Sequence, residues 1–171
     1  IPSGYKPTKL YSVLPTPTYG SELITNGDFS NGSTGWTLAS GWTIGGGSAN
    51  ATDCAFGSQL VDDTALVSGK KYKVSFDISD YIKGSVKVGV GNVFSSDISD
   101  NGNYTFILVA GNTNALKVET RAGGAGTTLS VSNISVQEVL VSDADFDVSR
   151  ASSATRVNAQ GLIETPEFIV S

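Results

Sequence analysis

Few side chains in this 171-residue chain could do chemistry, because it contains no His and a single Cys. Without imidazole, neither a Ser-His-Asp triad nor a Cys-His pair can form, and no His can bind a metal. One Cys cannot make an intrachain disulfide or a Cys-rich zinc site. Cys54 has no Lys or Arg beside it in the sequence, so we predict a small apolar residue, not a reactive thiol. The remaining carboxylates, hydroxyls and amides suit the recognition of polar ligands.

Acidic residues occur in three close pairs, Asp62-Asp63, Asp77/Asp80 and Asp97/Asp100. A glycosidase needs two carboxylates about 5–10 Å apart across a cleft, one of them with a raised pKa. These pairs are adjacent or lie near turns, and nothing in the sequence marks one carboxyl for a raised pKa. We therefore predict that this chain is not an enzyme and has no catalytic residue.

The overall charge narrows the class of partner. Eleven basic residues against sixteen acidic ones give a net charge of −5, which disfavours nucleic acid because phosphate binding needs a basic face. No apolar run approaches the roughly 18–20 residues of a membrane span. We therefore expect neither nucleic acid nor membrane as a partner.

The chain begins with Ile and contains no Met, so we expect it to be processed or part of a longer protein.

The elements that must position these side chains are predicted to be β-strands. Apolar residues alternate with polar ones in several stretches, and no stretch shows a sustained helical period. After Val131 the apolar parity shifts by one residue, which predicts a bulge near Ser132-Asn133. Eight to ten short strands at regular spacing predict an all-β sandwich or jelly roll. The alternating apolar positions are Tyr72, Val74, Phe76, Ile78, Val86, Val88, Val90, Tyr104, Phe106, Leu108, Leu116, Val118, Leu129, Val131, Ile134 and Val136. Shorter strand candidates are Leu23-Ile24, Phe29, Trp36 to Leu38, Trp42 to Ile44 and Gln59 to Val61.

Composition divides the chain into three sections. Residues 1–20 hold four of the five Pro and are predicted to form an extended N-terminal arm. Residues 21–139 hold 17 of the 20 Gly and all the clear strands. Residues 140–171 are predicted to form an extended C-terminal arm or the start of a further domain. The N-terminal arm is basic and the C-terminal arm acidic, so attraction between the two arms is expected to be weak but favourable.

The middle section resembles a known family. It opens with NGDFSNGSTGW (residues 26–36), continues with a strand-rich centre and closes with VSNISVQEV (residues 131–139). This pattern is similar to the CenC-type carbohydrate-binding modules attached to cellulases and xylanases. The resemblance covers about residues 21–139 and implies a jelly roll of galactose-binding-like architecture, with Trp36 as a core residue.

Sugar binding is the function that this resemblance implies. A pyranose stacks its C–H face on an aromatic ring, and its hydroxyls bond to amide, carboxylate and guanidinium groups. The predicted sugar-binding residues are Trp42, Tyr81, Gln59, Asn92 and Arg121. The alternative for Trp42 is a place in the core, and the alternative for Tyr81 is a half-buried strand end. Tyr104 and Asn103 are lesser candidates, Tyr104 being better explained by the core.

Calcium is the one cofactor that the resemblance implies. Modules of this type often hold a structural calcium through oxygen ligands from their first and last strands. The matching positions are Glu22, Asp28 and Glu138, together with backbone carbonyls, although Asn133 stands where an acid often precedes the last strand. The alternative for Asp28 is that its side chain caps a turn.

The two flanks resemble a different group of proteins. IPSGYKPTKLYSVLP (residues 1–15) and DFDVSRASSATRVNAQGLIETP (residues 145–166) are similar to a segment of bacteriophage tail and appendage proteins, in which the two pieces run close together. The resemblance implies a non-catalytic virion protein, located in the virion and extracellular. Its arms would bind other virion subunits, its inserted module would bind host-surface or environmental polysaccharide, and many copies, expected as a homo-oligomer, would give avidity.

Two alternatives stay open. The module could be a purely structural decoration or assembly part that binds no sugar, as its many small residues and few plainly exposed aromatics indicate. It could also be an accessory module of a secreted polysaccharidase.

Overall fold

The computed structural model describes residues 16–113, 115–121 and 124–140, and in addition two two-residue strands at 156–157 and 163–164. The described residues form strands and loops, and none forms a helix with the length and hydropathy needed to cross a membrane. The strands are β1 (Tyr19–Glu22), β2 (Trp36–Leu38), β3 (Trp42–Gly45), β4 (Ser48–Cys54), β5 (Gln59–Asp62), β6 (Lys71–Lys83), β7 (Val86–Val90), β8 (Val93–Phe94), β9 (Gly102–Val109), β10 (Leu116–Thr120), β11 (Thr127–Val139), β12 (Arg156–Val157) and β13 (Ile163–Glu164).

The strands make two antiparallel sheets that enclose one core. The six-stranded sheet has the order β3-β4-β11-β6-β9, and β1 pairs with the end of β11. The five-stranded sheet has the order β2-β5-β10-β7-β8. β12 and β13 pair only with each other.

The connectivity is that of a jelly roll. Numbering the eight strands from β4 to β11 as one to eight, one sheet contains the order one-eight-three-six and the other two-seven-four-five. The chain thus crosses between the sheets in two interlocked Greek keys. The predicted all-β sandwich is confirmed, while the predicted arms lie almost entirely outside the described residues.

The core consists of the residues that the alternation selects. On β6, Tyr72, Val74, Phe76 and Ile78 are all buried, and the hydroxyl of Tyr72 accepts a hydrogen bond from the backbone N–H of Val67. The predicted apolar residues of β7, β10 and β11 are buried as well. Those of β9, an edge strand, point the same way but are only half-buried.

The predicted bulge in β11 is confirmed. Pairing with β6 shifts register between Ser132 and Ser135, and Asn133 has a φ of 51°. The extra residue changes the parity of the strand, so Val131 and Ile134 both point into the core.

The opening motif forms a loop held by one buried amide. The side chain of Asn26 donates to the carbonyls of Gly32 and Thr34 and accepts from the N–H of Asn31. Trp36 is buried, as predicted, and its indole N–H donates to the carbonyl of Asn26 at 2.9 Å.

Three local predictions differ from the structure. Leu23-Ile24 lies outside any strand, and Phe29 lies in a turn with a φ of 55°. β4 was not predicted because its buried residues are small and lack the β-branched or aromatic types typical of strands. They are small because they pair with large neighbours: Ala51 lies opposite Trp42, and Ala49 lies opposite Ile44.

Candidate functional site

The outer face of the five-stranded sheet carries a row of three linked polar side chains. Glu119 on β10 lies directly opposite Gln59 on β5 and Lys87 on β7. Its carboxylate accepts a hydrogen bond from Gln59 Nε2 at 2.8 Å and pairs with Lys87 Nζ at 3.1 Å. We call Gln59, Glu119 and Lys87 the polar row.

Strand parity explains why these residues share one face. The neighbours of Glu119 and Lys87 along their strands, Val118 and Val88, are fully buried, so the intervening side chains point outward. Burial of Glu119 raises the pKa of its carboxyl. The hydrogen bonds from Gln59 and Lys87 and the charges of Lys87 and Arg121 lower this pKa by more, so the net direction is downward.

Arg121 continues the row toward one end of the sandwich. Its NH1 atom lies 3.3 Å from Oε1 of Glu119, and its guanidinium carbon lies 4.2 Å from the centre of the Phe56 ring. Phe56 is 61% exposed. Among the described aromatic residues, only Phe56 and Tyr19 are classed as exposed.

A second aromatic ring lies at the opposite side of the row. Lys87 Nζ is 3.8 Å from the centre of the Phe94 ring. This ring covers Gly89, where an added Cβ would come within 2.6 Å of ring carbons. Glycine at this position therefore allows the ring to lie against the sheet.

Phe56 also lines an open cleft at the end of the sandwich, which we call the end cleft. Its volume is about 470 Å³. The Ser58 hydroxyl donates to the carbonyl of Ser40 at 2.7 Å, which joins the two loops that border the cleft. Its lining combines hydroxyls, a carboxylate, backbone groups and the Phe56 ring: Ala39, Ser40, Gly41, Thr52, Asp53, Ala55, Phe56, Gly57 and Ser58.

Two carboxyl groups near this end of the molecule, those of Asp53 and Glu119, have lowered pKa values. Asp53 forms an ion pair with Lys83, whose hydrogen bond and charge lower the pKa of the Asp53 carboxyl. The pKa of Glu119 is lowered as well. A general acid needs the opposite shift, so these two groups are suited to accepting hydrogen bonds.

Two of the predicted sugar-binding residues are brought together, and a third, Asn92, is separated from them. Gln59 and Arg121 both bond to Glu119. Asn92 is exposed in the turn after β7, whereas Arg121 is beside Ser85 at the other end of that strand. Tyr81 is half-buried, and its hydroxyl donates to the carbonyl of Gly84, which corresponds to the strand-end alternative.

Trp42 does not offer a stacking surface. It is only 5% exposed and belongs to the core, which was the alternative to sugar binding for this residue. Its indole N–H is buried and has no hydrogen-bond partner among the described residues. The large ring fills the space that the small residues of β4 leave between the sheets.

The three predicted calcium ligands do not form one site. The Glu22 carboxylate accepts from the N–H groups of Leu23, Ile24 and Val136 and from the Ser135 hydroxyl. Asp28 accepts from the N–H and hydroxyl of Ser30, as expected of a turn cap, and this lowers the pKa of its carboxyl.

Glu138, the third residue of this set, pairs with Lys70 at 2.8 Å. Within residues 16–113, 115–121 and 124–140, no group of three or more His, Cys, Asp or Glu is placed to hold a metal. These side chains therefore do not fit the calcium that the resemblance implies.

Sequence reasoning missed the rings Phe56 and Phe94, the polar-row residues Lys87 and Glu119, and the other residues that line the end cleft. Phe56 could have been found, because it is an aromatic residue in a loop sequence, Ala-Phe-Gly-Ser, outside any apolar alternation. Lys87 and Glu119 occupy ordinary outward positions of alternating strands, which carry no signal of their own.

Cys54 is buried and free, and burial raises the pKa of its thiol, which agrees with an unreactive residue.

No protein-family model matches the chain, and no curated protein sequence matches it. Among solved structures, a CBM4 domain is 19% identical and covers 67% of this chain and 99% of its own, with a TM-score of 0.47. The CBM22-1 xylan-binding domain of Paenibacillus barcinonensis Xyn10C is 13% identical and covers 72% and 97%, with a TM-score of 0.49. The enzymatically active domain of tailspike protein 4 of bacteriophage CBA120 is 11% identical and covers 69% and 21%, with a TM-score of 0.46. The identities are low, and the fold assignment rests on the connectivity of the chain's own strands.

Proposed function

We propose that the jelly-roll module binds a polysaccharide, without catalysis, at the surface formed by Phe56, Arg121 and the end cleft. The observation that carries this proposal is the exposed Phe56 ring, which borders a cleft rich in hydroxyl and backbone groups. A sugar needs these two components side by side, an aromatic face for its C–H groups and hydrogen-bonding groups for its hydroxyls.

Arg121 gives the ring a fixed orientation and adds hydrogen-bond donors. Its guanidinium lies over Phe56 and is tied to Glu119, so the pair is held before a ligand arrives. Pre-organised side chains lose little conformational entropy on binding. The adjoining Gln59 and Lys87 extend the polar surface along the outer face of the sheet.

The charge states favour binding over hydrolysis. Retaining and inverting glycosidases both require a carboxyl group with a raised pKa as the acid. At this surface Lys83 lowers the pKa of the Asp53 carboxyl. Burial raises the pKa of the Glu119 carboxyl, but hydrogen bonds from Gln59 and Lys87 and the charges of Lys87 and Arg121 lower it by more. Asp53, whose side chain is exposed, is therefore suited to accepting hydrogen bonds from sugar hydroxyls, while Glu119 holds Arg121 in place.

The test is binding of the full chain to a panel of bacterial and plant polysaccharides, measured by affinity electrophoresis and by titration. We expect binding to at least one polysaccharide and its loss, by about tenfold or more, in Phe56→Ala. Ile82→Ala is the matched control, because Ile82 is an exposed apolar residue of the six-stranded sheet. Failure of every polysaccharide to bind at millimolar concentration would refute the proposal.

The wider setting that we propose is a bacteriophage appendage or decoration, with the arms bound to other virion subunits and the module projecting outward as a homo-oligomer. The support is the sequence of the two flanks and the closeness of the module's two ends: Leu140 N–H donates to the Thr18 carbonyl at 2.9 Å. Particles carrying Phe56→Ala should assemble normally but adsorb poorly. Failure to assemble would favour the purely structural alternative, and absence of the protein from purified particles would favour the polysaccharidase accessory module.

A further inference from the structure

The outer face of the six-stranded sheet carries an apolar groove far from the proposed sugar site. The groove has a volume of about 380 Å³. It lies across the row in which Tyr19 pairs with Val139 and Lys71 pairs with Val109. Its lining residues are Pro17, Tyr19, Lys71, Ile107, Val109 and Val139.

The apolar side chains of this groove are unusually accessible. Ile107 is 53% exposed, Val109 43% and Tyr19 38%. β9, which carries two of them, is an edge strand of eight residues, whereas β3, β2 and β8 at the other sheet edges have two to four. A long, regular edge next to exposed apolar residues is normally covered in a soluble protein.

The chain itself passes the groove at both ends of the module. Pro17 and Val139 line it, and the hydrogen bond from Leu140 N to Thr18 O holds the two ends side by side. Any segment that follows Leu140 therefore starts at the border of the groove.

The sequence that follows Leu140 has the composition that the groove requires. Residues 141–148 read Val-Ser-Asp-Ala-Asp-Phe-Asp-Val, so three acids alternate with Ala144, Phe146 and Val148. The groove presents apolar side chains together with Lys71, and the Lys73 ammonium lies 4.7 Å from the Tyr19 ring centre beside it. Lysine stems are long enough to cover apolar surface while their ammonium groups reach an acidic partner.

We propose that residues 141–148 of the same chain bind in this groove, with Phe146 against Ile107 and Val109 and with the acids paired to Lys71 and Lys73. Eight extended residues span about 27 Å, and four neighbouring strands span about 14 Å, so the segment reaches across the groove. Apolar burial supplies most of the binding, because exposed ion pairs contribute little.

Engineered cysteines in the full chain test this placement. We expect the pair Val109→Cys and Phe146→Cys to form a disulfide within one chain, at least about tenfold faster than the control pair Ile82→Cys and Phe146→Cys. Ile82 suits the control because it is 71% exposed and lies at the other end of β6 from Lys71. Cys54 stays in place because it is buried. Peptide mapping by mass spectrometry identifies the bond.

Hydrogen exchange gives a second measurement that needs no new disulfide. We expect the amides of residues 141–148 to be protected, and Ile107→Asp to speed their exchange about tenfold while Ile82→Asp leaves it unchanged. Equal disulfide rates in the two cysteine pairs, or unprotected amides in the parent chain, would overturn the proposal. A disulfide formed only between two chains would show that a second copy fills the groove, which would also overturn it.

Discussion

The guanidinium carbon of Arg121 lies 4.2 Å from the centre of the exposed Phe56 ring. The same guanidinium reaches Glu119 with its NH1 atom at 3.3 Å. One side chain thus links the aromatic surface at the end of the sandwich to the polar row on the five-stranded sheet. Changes at Glu119 should therefore affect stability and the proposed binding surface together.

Glu119→Gln should lower the free energy of unfolding by about 1–3 kcal/mol, because Lys87 and Arg121 would lose the anion between them. Glu138→Gln is the matched control: Glu138 is half-buried and pairs with one exposed Lys, and an ion pair near the surface contributes about 0–1 kcal/mol. Urea unfolding at neutral pH measures both variants. Equal losses would show that the polar row adds nothing beyond a surface ion pair.

The contribution of Glu119 should disappear in acid. Its folded-state pKa lies below the ordinary value of 4.5, so the stabilisation is fully present above that value and is lost as the pH falls through the folded pKa. The difference in unfolding free energy between the parent chain and Glu119→Gln should stay constant from pH 7 to about 5.5 and shrink below about 4.5. Urea unfolding across a pH series measures it, and a difference that grows in acid would contradict the assignment.

Gly27→Ala should destabilise the module severely. A Cβ on Gly27 would lie 1.8 Å from the backbone carbonyl oxygen of Ile134, and a backbone atom cannot move aside cheaply. We expect a loss of about 3 kcal/mol or more. Gly32→Ala in the same loop is the control, because its Cβ would meet nothing within 4 Å and only its φ of 56° adds strain. Its expected loss is about 1 kcal/mol, and thermal unfolding compares the two.

Calcium removal should leave the melting temperature unchanged. The oxygens of Glu22 are taken up by backbone N–H groups and Ser135, and Glu138 is paired with Lys70. Thermal unfolding with excess chelator and with millimolar calcium should therefore coincide. A calcium-dependent rise of several degrees would show that other oxygen ligands form a site.

Local periodicity determined the strands and the direction of their side chains. The alternation along Tyr72–Ile78 identified buried residues, and the parity change in β11 located the bulge at Asn133. These features follow from one stretch of backbone, since a strand points successive side chains to opposite faces. Local periodicity did not identify β4 as a strand, because its small buried side chains give a weak alternation signal.

Tertiary structure alone decided which outward-facing side chains meet. Gln59 and Glu119 are 60 residues apart, and only the register of β5 against β10 brings them to 2.8 Å. The same holds for Trp42, whose burial depends on the small Ala51 opposite it. Periodicity shows which face of a strand is buried, whereas neighbours across a sheet depend on pairing between distant segments.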